Sequence, residues 1–442
     1  MFYIDKDTEL TTKHLQKYIE IFRTQHLPKL KINKAYHDVK NPSITNRTVV
    51  DETQPNNKIA NPIIRYVNVM LTNYFMGKPV SYIIKDEELA TIISANNNKE
   101  NPHNFNLAMD CSIYGMAYEL LYLNDNKQLN FSRINPETVI PIYSNEIDGE
   151  LLYAIRFWED TDILTDKTTT NVELYSNEDI KIFKEVNKAL TLKEVKKHYF
   201  KMCPINIFKN NKEMTSDGQP IQKLVDCYDF ATSDSLNNFD SINNAYLCIY
   251  NSGFLSDEDL NRMKSNRIFA IDSGDGSQSK VEYITKNNAD MESEVFKQRV
   301  ENDWKRFSYV ADLESISKSH VSATSIRNGS FGVESITTLK ENQFRTSLMR
   351  RLQIICNVYN LFGANYNTEN IKLIFLRNIP QDLGNIADVM SKMTGIISNK
   401  TILQNIPFVQ NVDEELKQLE EEKKLNYHNE NEQNNNQIIQ DN

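Results

Sequence analysis

The 442-residue chain carries 50 lysines and arginines against 60 aspartates and glutamates, which gives a formal net charge of −10. This length predicts about two to four domains, and the low numbers of glycine and proline, 12 each, argue against a turn-rich all-β fold. The acidic balance argues against tight nucleic-acid binding over the whole surface, although a local basic patch remains compatible with it. The 5 cysteines are scattered and form no CxxC pair, which favours synthesis in a reducing compartment. We find no signal peptide and no 18-residue apolar run, so we expect neither secretion nor a membrane span.

The first half of the chain predicts helices followed by a sheet. Residues 1–35 show apolar side chains at helical spacing, and further helices are predicted from Pro62 to Met76 and over 102–115. From Tyr118 the period changes to that of strands, which favours a single meander sheet with its clearest hairpin loop at Asn145–Glu150. The predicted strands are Tyr118–Leu123, Leu129–Ile134, Val139–Tyr143, Leu151–Trp158, Val172–Ser176, Ile180–Glu185 and His198–Phe200.

Two long acidic helices with a polar insertion between them are predicted next. The helices cover 219–248 and 289–311, and the insertion contains strands at Arg267–Ile271 and Lys280–Ile284. Later elements are a helix over 322–361, kinked near Gly329 and Gly332, a strand at Ile371–Leu376, and short helices at 383–394, at 398–405 and from Asp413.

Motifs for chemistry are weak throughout. Gly77-Lys78 lacks the glycine five residues earlier that a phosphate loop needs, and the turn that begins at Asp272 has glycines where a calcium loop needs oxygen ligands. The acidic runs Asp86–Glu88 and Asp257–Asp259 could bind a metal, but such runs are more typical of solvated helix starts. A basic stripe favours ion pairing within or between subunits over contact with phosphate, and comprises Lys340, Arg345, Arg350 and Arg351.

Several local strings match one family in order and spacing over about residues 36–425. Tyr114–Glu119 follows the family pattern Tyr-Gly-x-Ala-Tyr-Glu, and Pro136–Tyr143 follows Pro-Glu-x-Val-Ile-Pro-x-Tyr. The other strings are Pro55–Arg65, Tyr74–Tyr82, Phe208–Lys212, Leu224–Asp229, Asn243–Leu247, Arg350-Arg351, Arg377–Pro380 and Ile406–Val409. Together they resemble the portal proteins of tailed bacteriophages, of the kind found in long-tailed phages of Gram-positive hosts. The sequence departs from the family at Ile316–Val321 and Ser322–Ser325, where portals carry an Asp-Asn-Phe-Gly/Ser-like loop and then Ser-Gly-x-Ala.

The resemblance implies an α+β fold, mainly α, assembled as a ring around a central channel. The implied parts are a wing of N-terminal helices and meander sheet (1–215), a first stem helix (219–248), a clip (251–288), a second stem helix (289–311), a channel or tunnel loop (312–321), a kinked helix and strand of the wing (322–382) and a crown (383–425). Residues 426–442 are rich in Asn and Gln, and this composition predicts a disordered tail.

The resemblance also implies a function. Such rings, typically of twelve copies, occupy one capsid vertex of the virion, and double-stranded DNA is packaged and later ejected through them. The implied partners are further copies of the chain, the terminase large subunit, the head-tail adaptor, the major capsid and scaffolding proteins, and DNA held weakly and without sequence preference. No cofactor, metal, membrane contact or enzymatic activity is implied, and the protein would be made in the bacterial host cytoplasm.

Three sets of residues are candidate sites in this interpretation. The channel loop would set positive charge beside DNA at one level, the alternative being a solvated connector, and its candidates are Ser315, Ser317, Lys318, Ser319 and His320. Carboxylates that would keep DNA from adhering to the channel wall are Asp234, Asp240, Glu294 and Glu301. Residues that would dock the motor and then the adaptor are Asp257, Arg262, Lys264, Arg267, Asp272 and Asp275.

Two other hypotheses stay open at this point. One is another structural head-tail connector, although adaptors are generally much shorter than this chain. The other is a DNA-processing enzyme that uses the acidic clusters as metal sites, which predicts metal-dependent activity in the monomer. Native mass and ring stoichiometry would separate the three hypotheses.

Overall fold

The computed structural model describes residues 2–48, 55–95, 97–125, 128–147, 149–166, 168–186, 189–243, 246–250, 268–271, 280–284, 290–310, 331–378, 388, 390–404, 406, 409, 412 and 415–422. The chain divides into two compact units, Met1–Arg377 and Asn378–Asn442. The predicted α+β class is confirmed, because helices and strands both contribute extensively to the first unit. Of the predicted kinked helix, residues 322–330 lie outside the described residues, and Gly332 lies in the first turn of the described helix Phe331–Asn360; the Asn/Gln-rich tail also lies outside the described residues.

The helices of the described chain are α1 (Thr12–Ile21), α2 (Leu27–His37), α3 (Pro42–Thr45), α4 (Ile63–Met76), α5 (Glu87–Ser94), α6 (Asn97–Tyr114), α7 (Gln222–Asn243), α8 (Asp290–Phe307), α9 (Phe331–Asn360) and α10 (Asn399–Gln404). Short 3-10 turns occur at Pro136–Thr138 and Gln219–Ile221, and a π-helical turn at Phe22–His26 joins α1 to α2. In the second unit, besides α10, residues 390–393 and 415–422 are helical.

The strands are β1 (Phe2–Ile4), β2 (Ser81–Ile83), β3 (Met116–Leu123), β4 (Leu129–Ile134), β5 (Val139–Ser144), β6 (Leu151–Thr161), β7 (Thr168–Tyr175), β8 (Asp179–Val186), β9 (Ala189–Lys197), β10 (Ile205–Lys209), β11 (Tyr246–Tyr250), β12 (Ile268–Ile271), β13 (Lys280–Ile284) and β14 (Lys372–Ile374). They form a six-stranded sheet in the order β1-β5-β6-β7-β8-β9, three-stranded sheets β10-β3-β4 and β12-β11-β13, and the pair β14-β2.

The N-terminal helix is interrupted where proline removes a backbone donor. Thr11 caps α1, and Leu15 and Ile19 are buried on its inner face. The π-helical turn follows directly, and the N–H of Leu27 donates to the carbonyl of Phe22. Pro28 has no backbone N–H, so it cannot donate the next hydrogen bond of an α-helix. The wider π-helical turn accommodates the loss of that hydrogen bond. The helix predicted over residues 1–35 is therefore two helices with a turn between them, and its first residues form strand β1 instead.

Helices cover one face of the six-stranded sheet. Leu15, Ile19 and Phe22 pack against Ile155 and Phe157 of β6. A separate core joins α4, α6 and α9 around the fully or nearly fully buried side chains of Leu107, Phe208, Phe344 and Leu348. These two cores fix the orientation of the strands and helices that carry the charged groups described below.

The prediction of a single meander sheet was wrong. Strands β5 to β9 do form a meander, with the predicted hairpin loop between β5 and β6, but β3 and β4 pair with β10 in a second sheet. His198–Phe200 is not a strand; the strand of that region is β9, which ends at Lys197. Strand β9 lacks an apolar face that is buried along its whole length, and this weakens the alternating pattern on which strand prediction depends.

The first long helix ends earlier than its pattern predicts. Helix α7 stops at Asn243, and Tyr246–Tyr250 forms strand β11, between β12 and β13. Pairing with two strands distant in sequence determines the conformation here, although the apolar residues are spaced as in a helix. The polar insertion thus begins at about β11, and its predicted strands are confirmed at Ile268–Ile271 and Lys280–Ile284. Helix α8 is confirmed over Asp290–Phe307.

Candidate channel and docking sites

Two stretches of chain before α4, residues 41–48 and 55–61, run alongside α7 and are called the strap here. Asn41 Nδ2 donates to Asp229 Oδ2 at 2.6 Å, and both the backbone N–H and Nδ2 of Asn61 donate to Asp229 Oδ1 at 2.9 and 2.8 Å. The backbone N–H of Ile59 donates to Ser233 Oγ at 3.0 Å. Burial raises the pKa of Asp229, and these donors oppose that rise. These hydrogen bonds hold the polar face of α7 against the strap.

The two α7 carboxylates predicted to line a channel also have partners in the strap. Asp234 Oδ1 lies 2.7 Å from a guanidinium nitrogen of Arg47, while 53% of the Asp234 side chain stays exposed. Asp240 Oδ2 accepts a hydrogen bond of 2.6 Å from Asn57 Nδ2. Both carboxylates therefore lie along the border between α7 and the strap.

The two carboxylates predicted on α8 make ion pairs along their own helix. Glu294 pairs with Lys297, and 71% of the Glu294 side chain is exposed. Glu301 lies 2.8 Å from Lys305 and is 40% exposed. Exposed pairs at this spacing contribute only about a few tenths of a kcal/mol to the stability of the fold. Both carboxylates therefore remain largely accessible to solvent.

Helices α7 and α8 pack against each other and are called the long-helix pair here. Val300 and Trp304 of α8 are buried, and Trp304 joins the core formed by α4 and the start of α7. Farther from this core, apolar side chains of the pair face solvent. Exposed fractions are 57% for Phe239, 82% for Met291, 64% for Val295 and 48% for Phe296. Exposed apolar side chains in such numbers are typical of surfaces that contact another protein.

The remaining predicted site residues lie outside the described residues. These are the channel-loop candidates Ser315, Ser317, Lys318, Ser319 and His320, and the docking candidates Asp257, Arg262, Lys264, Arg267, Asp272 and Asp275. The backbone of the flanking sheet is described: β11 pairs with β12 in parallel and with β13 in the antiparallel sense.

Sequence reasoning missed a buried charge cluster, formed by Glu100, His103, Asn104, Glu119 and Arg351. The Arg351 guanidinium donates to Glu119 at 3.0 Å, to Glu100 at 2.9 Å and to Asn104 at 2.9 Å. His103 Nε2 lies 2.8 Å from Glu119 Oε1. Burial would raise the pKa of Glu119, but the charge of Arg351 and hydrogen bonds from His103 and Arg351 lower it to about 2. The cluster joins α6, β3 and α9 at one point.

The cluster settles the interpretation of the basic stripe on α9 in favour of pairing within the chain. Besides Arg351, Lys340 pairs with Asp217, and Arg345 pairs with Glu341 at 2.6 Å. Arg350 donates to the carbonyls of Cys203 and Ile205 at 2.8 and 3.0 Å. No phosphate contact is needed to explain this stripe.

The described residues contain neither a cluster suited to a metal ion nor a membrane-spanning helix. Among these residues, no group of three or more His, Cys, Asp or Glu side chains is placed to hold a metal ion. No helix within the described part of the chain is long and apolar enough to cross a bilayer.

The architecture is mixed helix and sheet, with a long-helix pair that presents apolar side chains outward. The family model described as "Phage portal protein, SPP1 Gp6-like" matches residues 16–426. A portal protein of Clostridium phage phiCD119 is 26% identical over 345 residues, 72% of this chain and 74% of that protein. The portal protein of Bacillus phage SPP1 is 21% identical over 429 residues, 89% of this chain and 80% of that protein. The chain belongs to the phage portal protein family, a family of structural proteins, as its sequence motifs predict.

Proposed function

We propose that this protein forms the ring, of about twelve copies, through which double-stranded DNA enters and leaves a phage capsid at one vertex. Membership of the portal family supports this role, and the two portal relatives come from phages of Gram-positive hosts. In this proposal the protein is a component of the virion, is made in the bacterial host cytoplasm and acts without catalysis. The observation that carries the proposal is the set of exposed apolar side chains on the long-helix pair, which the described residues of the chain leave facing solvent.

In the ring, the long-helix pair serves as the stem. Phe239, Val295 and Phe296 are exposed in the single chain, and burial against a neighbouring copy would remove them from water. Asp234, Asp240, Glu294 and Glu301 are the proposed carboxylates of the channel wall. Of these, Glu294 has the largest exposed side-chain fraction, 71%. Negative charge at the wall keeps DNA phosphates from binding, since each neutralised phosphate would add an attraction that translocation must break.

The proposed docking surface for the terminase motor and then the head-tail adaptor is the insertion between the stem helices, at the β12-β11-β13 sheet. Its candidate residues are Asp257, Arg262, Lys264, Arg267, Asp272 and Asp275. Deletion of residues 256–282 is expected to leave rings intact and to abolish packaging or adaptor binding.

The channel-loop candidates Ser315, Ser317, Lys318, Ser319 and His320 are proposed to contact DNA weakly. Lys318→Glu is expected to reduce DNA retention or packaging in a salt-dependent manner without loss of rings.

The experiment that tests the proposal measures assembly. Native mass spectrometry and negative-stain imaging of the full chain at micromolar concentration are expected to show closed rings. Phe239→Glu is expected to shift the population to single chains, because it places a charge in the proposed contact. Phe362→Glu is the matched control, since Phe362 is 81% exposed but lies after α9, and it is expected to keep the rings. Single chains only in the unmodified protein would contradict the proposal.

A further inference from the structure

The surface of α1, the π-helical turn and α2 has the opposite charge from the chain as a whole. Residues 12–37, called the basic rod here, carry six lysines and arginines and one acid, a net charge of +5 in a chain of net charge −10. The backbone stays right-handed helical through the turn, so the two helices form one continuous rod. Its length is about 39 Å at about 1.5 Å per residue. A long basic surface on an acidic protein is typical of a binding site for a polyanion.

Half of the cations of the rod have no acidic partner. Lys13, Lys29 and Lys31 are exposed, and none of them forms an ion pair with any residue that the structure describes. The other three cations are paired: Lys17 with Glu20 at 3.0 Å, Arg23 with Glu159 at 2.7 Å and Lys34 with Asp38 at 2.6 Å. Three ammonium groups are therefore left to attract an anion from outside the chain.

Two histidines of the rod agree with this excess of positive charge. Burial lowers the pKa of His26, and the charge of Lys29 lowers it further. Burial also lowers the pKa of His37, where Lys34 and Arg65 add to the effect and Asp38 opposes it. Nearby cations disfavour a second positive charge on an imidazole, so the surroundings of both rings are positive in an acidic chain.

The exposed face of the rod, all of which the structure describes, favours a phosphate backbone over a protein partner. Ile32 is its one exposed large apolar side chain, at 43%, whereas the centre of a protein–protein contact is apolar. Exposed Gln16 and Gln25 are of a type that hydrogen-bonds phosphate oxygens. The aromatic rings of the rod are partly or fully buried, so they offer no platform on which unpaired bases could stack. A double-stranded nucleic acid fits these properties.

We propose that the basic rod binds the phosphate backbone of double-stranded DNA, without sequence preference, at a site separate from the channel. Lys13, Lys29 and Lys31 supply the cations, and the rod is long enough to contact the backbone over about one helical turn, ~34 Å. Lysine acts as a point charge without the planar fork of arginine, which suits contact without sequence readout. The choice of DNA over double-stranded RNA rests on the proposed function, whereas the phosphate contacts do not.

The test uses the full chain as assembled and relaxed closed-circular DNA, which has no end to thread through a channel. Affinity is measured between about 50 and about 200 mM salt. The variant K13Q/K29Q/K31Q is expected to bind at least tenfold more weakly at about 100 mM salt. The slope of log affinity against log salt concentration is expected to become shallower by about 2.7, because each phosphate contact contributes about 0.9.

The matched control removes three exposed lysines that form no ion pair with any described residue and lie outside the rod. The variant is K85Q/K212Q/K372Q, which changes the net charge of the chain by the same amount. It is expected to keep both the affinity and the salt slope of the unmodified chain. Native mass spectrometry of the same samples reports whether rings are present, so a failure of rod binding is distinguished from a failure of assembly.

Amine acetylation read by mass spectrometry maps the contact. Closed-circular DNA is expected to slow the acetylation of Lys13, Lys29 and Lys31 and to leave that of Lys85 and Lys212 unchanged. This measurement separates the rod from every other basic group of the chain, because each lysine is read individually.

Four outcomes would overturn the proposal. Absence of binding to closed circles at low salt would remove the site. Equal loss of affinity in the two triple variants would show a general dependence on net charge. Polyglutamate that binds as tightly as DNA would show that the rod takes an acidic protein segment instead. Slow acetylation of the three rod lysines in the DNA-free assembly would show that another copy already covers them.

Discussion

The buried charge cluster and the long-helix pair are both rich in charge, yet they hold it in opposite ways. In the cluster, Arg351 is only 2% exposed and Glu119 is fully buried, so each charge depends on a partner for its solvation. On the long-helix pair, Glu294 and Glu301 face solvent beside lysines of the same helix. Charge in the interior therefore fixes where α6, β3 and α9 meet, whereas charge on the long helices is available for contact with other molecules.

The strongest way to break this contrast is to remove the cation of the cluster. Arg351→Met leaves Glu100 and Glu119 buried without their main counter-charge, and we expect the free energy of unfolding to fall by about 3–5 kcal/mol. Urea unfolding followed by near-ultraviolet circular dichroism measures the change. Lys223→Met is the control, because the Lys223 side chain is 91% exposed, and we expect a change below about 0.5 kcal/mol. Equal effects of the two variants would contradict the contrast.

Two aspartates of α7 allow buried and exposed charge to be compared within one helix. Asp229→Ala removes the acceptor of three donors from Asn41 and Asn61, and we expect a loss of about 3 kcal/mol because buried donors are left unsatisfied. Asp234→Ala removes a half-exposed partner of Arg47, for which we expect a loss of at most about 1 kcal/mol. Thermal unfolding of the two variants beside the unmodified chain tests the order. If Asp234→Ala were the more damaging change, the strap would not be anchored at Asp229.

The sequence predicted the local elements better than the contacts between them. The start of α4 directly after Pro62 and the strands Leu129–Ile134 and Lys280–Ile284 follow from patterns within a few residues. The bond between Glu119 and Arg351 joins positions 232 residues apart, and no local period encodes it. Both residues nevertheless stand in strings that carried the family resemblance, and Arg351 also stands in the basic stripe for which ion pairing was predicted.

The glycine of the Tyr-Gly-x-Ala-Tyr-Glu string shows what such a motif contributes physically. Gly115 has a φ of +88°, and a Cβ at this position would come within 2.1 Å of the carbonyl oxygen of Met214. Glycine alone fits this turn between α6 and β3, which sets the direction in which Glu119 enters the core. The acids of α7 show the opposite case. Their net charge was evident from the sequence, but their contacts with the strap depend on residues about 180 positions away.

A pH titration tests the same contrast at Asp110. A buried carboxyl group whose charge is not fully balanced by a nearby cation should favour its neutral form. Burial raises the pKa of Asp110 to about 6, although Arg133 at 3.1 Å lowers it. The folded pKa lies above the unfolded value, so the stabilisation is present at low pH and is lost as the pH rises from about 4 to about 6. Relative to Asp110→Asn, the unmodified chain should lose about 2 kcal/mol of unfolding free energy between these pH values. A difference that stays constant with pH would show that Asp110 is fully compensated.

The smallest expected effect concerns the carboxylates of α8. Glu294→Gln and Glu301→Gln each remove one exposed pair with a lysine three or four residues later, and we expect each to change the free energy of unfolding by less than about 0.5 kcal/mol. Because these side chains contribute so little to folding, a defect in DNA retention in either variant can be assigned to the proposed channel wall rather than to the fold. The corresponding Glu→Lys variants should increase DNA retention by the assembled ring at low salt and lose that effect at high salt, since phosphate contacts are screened. Glu88→Lys is the control, because Glu88 is exposed in the first turn of α5 and not on α8. DNA retention that rises equally in the control, or in none of the variants, would contradict the proposal that Glu294 and Glu301 line the channel.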